Sequence, residues 1–418
     1  MKNLESLVGD CMEYLVLLLV YFVTLIILSS ILLRKDLFSP LFLFGGPIVL
    51  QYFIYYYVYS ETHPISNLTL LLYSLGLGSF ICGYFFFLIF VKKRNFDTRN
   101  HYETKVKSNY FVIYASLIVG LICLVLTQLY LKQLGVGFSN FSSESLNIRE
   151  AFINNLSNIP FYVTYGKYFL LFSISYIWFD FLSGSQSISR FKMGILLVLL
   201  FYNAFSVYSR TDLLISILPI FIIFFRTKIK NSNIAEKIEK SKIRKQIFIL
   251  AIGLLFLLVV MNNSRSIETS SAFFSVDNQI MQYIGRPIIA FDQWVLPYSN
   301  SSNQLLVFEP LNKVLLMFNI INPTNINLAP RGQFNVYSYL RAPYMDFGII
   351  GVVLIMFLVG IVCHYFYIKY KSRNKSWIIF YSIFSYGMVM SFFDWQFFII
   401  TFVYLFIYII LVDKIRIR

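Results

Sequence analysis

Apolar runs long enough to cross roughly 30 Å of hydrocarbon as helices recur along most of this chain. They fall at about 12–33, 38–59, 68–91, 109–131, 160–182, 191–208, 211–226, 247–262, 346–368, 377–393 and 396–412, which gives about eleven predicted spans. Methionine and aromatic residues occur on every run, as lipid-facing and packing groups. One long stretch breaks the series: residues 263–345, about 83 positions, are polar enough to leave the hydrocarbon. No repeat of fixed period and no Gly/Ser-rich or Pro-rich linker marks off a soluble part. The pattern predicts an all-α polytopic membrane protein, a single membrane domain over 1–418 with spans in 12–262 and 346–412.

Composition agrees with that class. Hydrophobic residues make up 58% of the chain, aromatic residues 19% and charged residues only 13%, with a mean hydropathy of +0.69. A soluble globule of 418 residues needs more polar surface than this. The net charge of +15 does not point to nucleic acid, because the basic residues are not spread evenly. Clusters at 34–35, 92–107, 190–192, 226–245, 369–375 and 414–418 all fall on one side of the eleven-span arrangement, about 25 of the 35 Lys and Arg. That side is predicted to be the cytoplasm, with the N-terminus outside and the C-terminus inside. The clusters then serve as orientation signals near anionic headgroups. The first run lacks a basic start and a small-residue cleavage site, so it is expected to remain as a helix.

Cys11, Cys82, Cys123 and Cys363 lie in or beside separate apolar runs, and His63, His101 and His364 are scattered. Neither a disulfide framework nor a metal site is implied, and no cofactor is expected. Lys167, Asp180 and His364 are the main polar residues inside predicted spans. Each is expected to snorkel toward the nearer end.

Chemistry is expected on the opposite, outer face, where arginine works against the topogenic signal and needs a reason. Three segments lie there. Residues 132–159 carry LGVGFSNFSSESLNIREAF, a Gly and Ser stretch leading into a possible helix start at Ser143. The turn VYSRTD places Arg210 and Asp212 at the rim of the bilayer. The long loop carries amphipathic pieces, VDNQIMQYIGRPIIAFDQWV and NKVLLMFNI, suited to a cap resting on the membrane.

Arg210 either pairs with Asp212 or helix carbonyls, or ligates a phosphate-bearing lipid through its planar fork. Arg286, between Gly285 and Pro287, is expected to sit where the helical pattern breaks. Arg331 is bracketed by Pro330 and Gly332 in the same manner. Arg341 stands five residues before Asp346, either as a structural pair or as a phosphate ligand beside a general base. Carboxylates on this face are Glu268, Asp277, Asp292, Glu309, Asp346 and Asp394. Paired-carboxylate spacing, DxD, GxSxG, HExxH and GxxxxGK[ST] do not occur, which disfavours metal-bound sugar nucleotides, serine hydrolases, zinc proteases and P-loop ATPases.

The run GQFNVYSYLRAPYMDFGIIGVVLIMFLVGI, 332–361, resembles the end of the large outer loop and the following helix of Wzy-type O-antigen and capsule repeat-unit polymerases. There an arginine- or tyrosine-bearing segment leads into a DFG-like step and a Gly-rich span. The turn SRTDLL, 209–214, looks like that family's mid-chain arginine, and the layout of spans around a late outer loop is similar. The resemblance covers the whole chain as architecture and about 40 residues as sequence.

It implies a GT-C-like glycosyltransferase of the bacterial cytoplasmic membrane, working on its outer face to build lipopolysaccharide or capsule glycan. A growing glycan on undecaprenyl diphosphate is the implied donor and a lipid-linked repeat unit the acceptor, with a chain-length regulator as a possible partner. Arg210, Arg286, Arg331 and Arg341 are then the diphosphate ligands and Asp346 the candidate base. Related lipid-A ligases use a histidine in the late outer region; this loop has none. Two other readings are a lipid-linked oligosaccharide flippase or other transporter, and an O-antigen ligase-type transferase. A transporter is expected to show two comparable halves, interrupted helices and charges at mid-membrane depth.

Overall fold

A computed structural model describes residues 38–92, 109–133, 159–206, 210–230, 279–298, 305–318, 320, 336–372 and 374–414. The predicted spans at 12–33 and 247–262, most of the outer segment 132–159, the basic connector beyond residue 230, and Arg331 lie outside them. Among the described residues the regular elements are helices. In chain order they are α1 (Pro40–Ile54), α2 (Asn67–Lys92), α3 (Tyr110–Gln133), α4 (Phe161–Ser183), α5 (Arg190–Ser206) and α6 (Arg210–Lys230). Then follow α7 (Gln279–Ala290), α8 (Glu309–Met317), α9 (Arg341–Lys371), α10 (Lys375–Val389) and α11 (Ile400–Lys414). All predicted spans within the described residues are therefore helical. Pro40–Tyr59, Asn67–Ile89, Tyr110–Gln133 and Arg341–Lys371 are long and apolar enough to cross a membrane, and Ile400–Asp413 is a shorter apolar helix.

The chain divides into two compact units, each assembled from non-contiguous stretches. One comprises Met1–Tyr102, Ser270–Ser372 and Gly387–Val403; the other comprises Glu103–Thr269, Arg373–Tyr386 and Tyr404–Arg418. The hydropathy pattern carries no trace of this division, because neither unit is a continuous stretch bounded by a linker.

In the first unit α2 and α9 lie backbone to backbone. A β-carbon on Gly83 would collide with the carbonyl of Phe357, and one on Gly360 with the carbonyl of Phe80. Small residues facing each other are how helices associate where apolar packing against lipid offers no hydrophobic gain. In the second unit α3 and α4 do the same, with Gly120 against Leu170 and Gly166 against Cys123. The surfaces left over are apolar: Phe111, Ile118, Ile122 and Val125 of α3 and Ile350, Leu354 and Leu358 of α9 are exposed.

α9 is not one straight rod. Gly348 has φ 61° and ψ −149°, non-helical values that divide a short first segment from the long one. Residues with a β-carbon scarcely enter that region. The short segment folds back so closely that the carbonyl of Pro343 occupies the place where Gly351 would carry a β-carbon. Helix thus begins at Arg341, within the predicted loop. At the other end of the predicted hairpin, residues 393–399 form a turn, which moves the start of α11 from 396 to Ile400.

Candidate functional site

The first unit gathers polar groups where the turn before α9 meets the turn after α10. Ser338 carries a positive φ of 75°, uncommon for a residue with a β-carbon. It is held there from several directions. Its N–H donates to the carbonyl of Phe393 at 3.1 Å, its carbonyl accepts from the N–H of Arg341 at 3.3 Å, and it forms an isolated parallel bridge with Asp394. The adjacent Tyr339 is fully enclosed, with its hydroxyl donating to the carbonyl of Tyr73 at 3.0 Å and its ring edge-on to Phe44 and Tyr73. This turn delivers Arg341 as the first residue of α9.

Arg341 was expected either to pair with Asp346 or to stand beside it as a phosphate ligand; its ion-pair partner is Asp394, with Nη2 3.3 Å from Oδ2. Its guanidinium lies 5.5 Å from the centre of the Tyr337 ring, a cation–π arrangement. Burial pushes the Tyr337 phenol above its ordinary value, Arg341 pulls it down and Asp394 raises it, so the ring faces the cation in its neutral form. The Nε of Arg341 is buried and has no acceptor among the described residues. The Nε is enclosed, but the side chain as a whole keeps 27% of its surface, so a guanidinium with a single 3.3 Å ion-pair contact retains hydrogen-bonding capacity for an oxyanion at its Nη groups.

Asp346 does something else. Its Oδ1 accepts from the N–H of Leu306 at 2.9 Å and its Oδ2 from the N–H of Val307 at 2.8 Å. It therefore caps the short 3₁₀ turn Leu306–Phe308 that leads into α8, where free N–H groups and the helix dipole favour a carboxylate. Val307 in turn accepts from the indole N–H of Trp395 at 3.1 Å, and Trp395 follows Asp394. The contacts close a circuit: Arg341 to Asp394, Trp395 to Val307, Val307 to Asp346, and along one helical segment back to Arg341. Asn312 secures α8 by exchanging hydrogen bonds with both backbone groups of Leu305, at 2.9 and 2.7 Å.

Arg286 lies inside α7, not at a break. Pro287 removes one helical donor, yet helix continues to Ala290 and loosens only afterwards into a π-turn, Phe291–Val295. The helix is also tied from outside: Nε2 of Gln51 in α1 donates to the carbonyl of Ile284, three residues before the proline, at 2.9 Å. Six residues beyond Arg286, Oδ1 of Asp292 accepts from the N–H and hydroxyl of Ser66 and the hydroxyl of Thr69, at 2.9, 2.5 and 2.7 Å, pinning α7 to the start of α2. Arg286 itself is partly exposed.

Arg210 is the first residue of α6 in the second unit, with its side chain outside the described atoms. Asp212, weighed as its partner, binds Lys167 at 2.5 Å. Asp180 accepts two hydrogen bonds from Lys375, at 2.8 and 2.7 Å, and another from Ser185. Lys167 and Asp180, two of the three residues expected to snorkel, thus have specific ion-pair partners. His364 is buried beside the rings of Tyr84 and Phe87.

Three contributors escaped the sequence reading. Gln51 is one amide in an apolar run. Ser338 gives no hint of its positive φ. Asp394 was counted among the outer carboxylates but could be matched to Arg341 only through the fold.

No protein family, curated protein or solved structure matches the chain. The described residues define an all-helical protein with four helices of membrane-crossing length and composition.

Proposed function

We propose that this protein is a membrane glycosyltransferase, an oligosaccharide repeat-unit polymerase with about eleven spans and a GT-C-like plan, working on the outer face of a bacterial cytoplasmic membrane. The observation that carries the reading is Arg341: a cation seated on Tyr337, tethered to Asp394 by one contact, with 27% of its side chain still exposed. The sidedness rests on the charge pattern. Polar contacts within each unit also join segments that this pattern assigns to the same face: Ser66 with Asp292, Ser338 with Phe393, and Asp180 with Lys375.

In this reading the donor is a glycan on a polyprenyl diphosphate and the acceptor a lipid-linked repeat unit. An acceptor hydroxyl attacks the anomeric carbon, the bond from that carbon to the diphosphate oxygen breaks, and the diphosphate leaves with the electron pair. Fixed positive charge at the departing oxygens is what the step needs most, since a charge held in place before the reaction requires no reorganisation during it. Arg341 and Arg286 supply it in the first unit, with Arg210 and Arg331 as the other proposed ligands. Asp346, the candidate base, already gives both oxygens to backbone amides. Asp394 is engaged through both oxygens as well, Oδ2 with Arg341 and Oδ1 with the N–H of Trp395, so Asp346, on the segment that begins at Arg341, stays the carboxylate we assign to receiving the proton.

The test is glycan length in cells carrying Arg341→Ala. Polymerase action predicts normal protein level and a surface glycan reduced to a single repeat. Transport predicts repeat units retained on the inner face, and a ligase predicts full-length polymer left on its lipid carrier. Wild-type chain lengths would remove Arg341 from the chemistry.

A further inference from the structure

Gln51 lies in the last turn of α1 with no accessible surface. Its Nε2 donates to two carbonyls from distant parts of the chain, Ile284 at 2.9 Å and Phe392 at 2.8 Å. Ile284 stands two residues before Arg286, and Phe392 two residues before Asp394, the partner of Arg341. The next carbonyl, that of Phe393, accepts from Ser338, and the ring of Phe393 stacks on Tyr283 at 4.3 Å. One amide is thus the joint between α1, the helix bearing Arg286 and the turn bearing Asp394.

The remaining atom of this amide decides what it is for. Oε1 of Gln51 is buried with no donor among the described residues. An unused buried acceptor is costly, and a leucine or methionine would fill the same space without that cost. The residue makes sense for its two donors. Both carbonyls lie where the backbone changes course, one three residues before Pro287 in α7, the other at the end of the 3₁₀ turn Met390–Phe392.

We propose that Gln51 is a positioning residue that fixes the Arg286-bearing helix against the Asp394–Arg341 turn, so that both guanidinium groups address one diphosphate. This rests on the function proposed above, and the test separates the two. Full-length wild type and Gln51→Met, which keeps the length of the side chain and loses both donors, are compared in nanodiscs. Hydrogen–deuterium exchange is expected to rise several-fold in peptides spanning 280–298 and 387–399 while 109–133 stays unchanged. Undecaprenyl diphosphate is expected to bind about tenfold more weakly, as removal of a supporting hydrogen-bond partner does to a preorganised site.

If Gln51 acts through the arginines, combining Gln51→Met with Arg286→Ala weakens binding no more than about twofold beyond the worse single variant, because coupled residues are not additive. Fully additive losses, or unchanged exchange, overturn the proposal. Gln51→Glu, which keeps the shape and one donor when protonated, should exchange at intermediate rates and serves where the Met variant is poorly produced; exchange equal to wild type also counts against the proposal. If wild type shows no saturable binding of undecaprenyl diphosphate while Gln51→Met still loosens both peptides, the ligand assignment fails and the joint stands.

Discussion

Arg341 shows how far single residues can be read from sequence. That an outer-face arginine needed compensation followed from topology, but its partner is 53 positions away across a hairpin, and no spacing rule links residues 341 and 394. If the guanidinium works through its planar fork, Arg341→Lys should lose most of the polymer even though charge is kept, because an ammonium binds as a point charge. A lysine variant with normal glycan would reduce the role to charge alone. Gly348 is a second case. Its DFG setting was legible as a pattern, and the structure supplies the reason, a backbone conformation reserved for glycine. Gly348→Ala should destabilise by about 1–3 kcal/mol, read as a lower melting temperature in detergent. Ser338→Gly should be neutral or mildly stabilising, since glycine accepts positive φ without strain.

Helices were the most legible level, because hydropathy alone marks segments that must satisfy their backbone internally. Their ends were less so. The helix that continues past Pro287 is tied to Gln51 of a distant helix, and α9 starts at Arg341 from the Ser338 turn; periodicity can register neither. At this scale two roles for Asp346 can be separated. As a cap, Asp346→Ala should free the 305–308 turn and speed its amide exchange several-fold, with activity falling in step. If it is also a base, Asp346→Asn, which keeps one acceptor oxygen for the turn, should abolish transfer while raising that exchange less than Asp346→Ala does. α8 offers a further check, because it faces inward with Asn312 and outward with Leu311, Val314 and, just beyond its end, Phe318. Outward apolar residues beside the start of a membrane-length helix suit the hydrocarbon–headgroup boundary. Fluorophores on cysteines at 311 and 314 should be quenched by lipids labelled near the headgroup and shielded from aqueous iodide. Quenching by iodide at both sites would place the helix in water.

For the whole molecule, composition and charge asymmetry gave the class and a proposed orientation, whereas the division into two units emerged only in three dimensions. A cysteine replacing Asn300 should react with an impermeant reagent added from outside intact cells; labelling only after the cells are opened would invert the orientation and with it the placing of the arginines. The folded start of α9 has one more consequence. From Gly348 to Lys371 the helix measures roughly 36 Å at about 1.5 Å per residue, slightly more than the hydrocarbon it would cross, with Lys369 and Lys371 at the far end. If α9 crosses the bilayer as proposed, those lysines and the fold at Gly348 lie at opposite water boundaries, and Arg341 is held at a set height above the lipid tails. Under the proposed function, bilayer thickness then becomes a control on turnover: reconstitution in progressively shorter or longer acyl chains should lower the rate on both sides of an optimum, as the guanidinium is drawn below or lifted above the level of a carrier's phosphates.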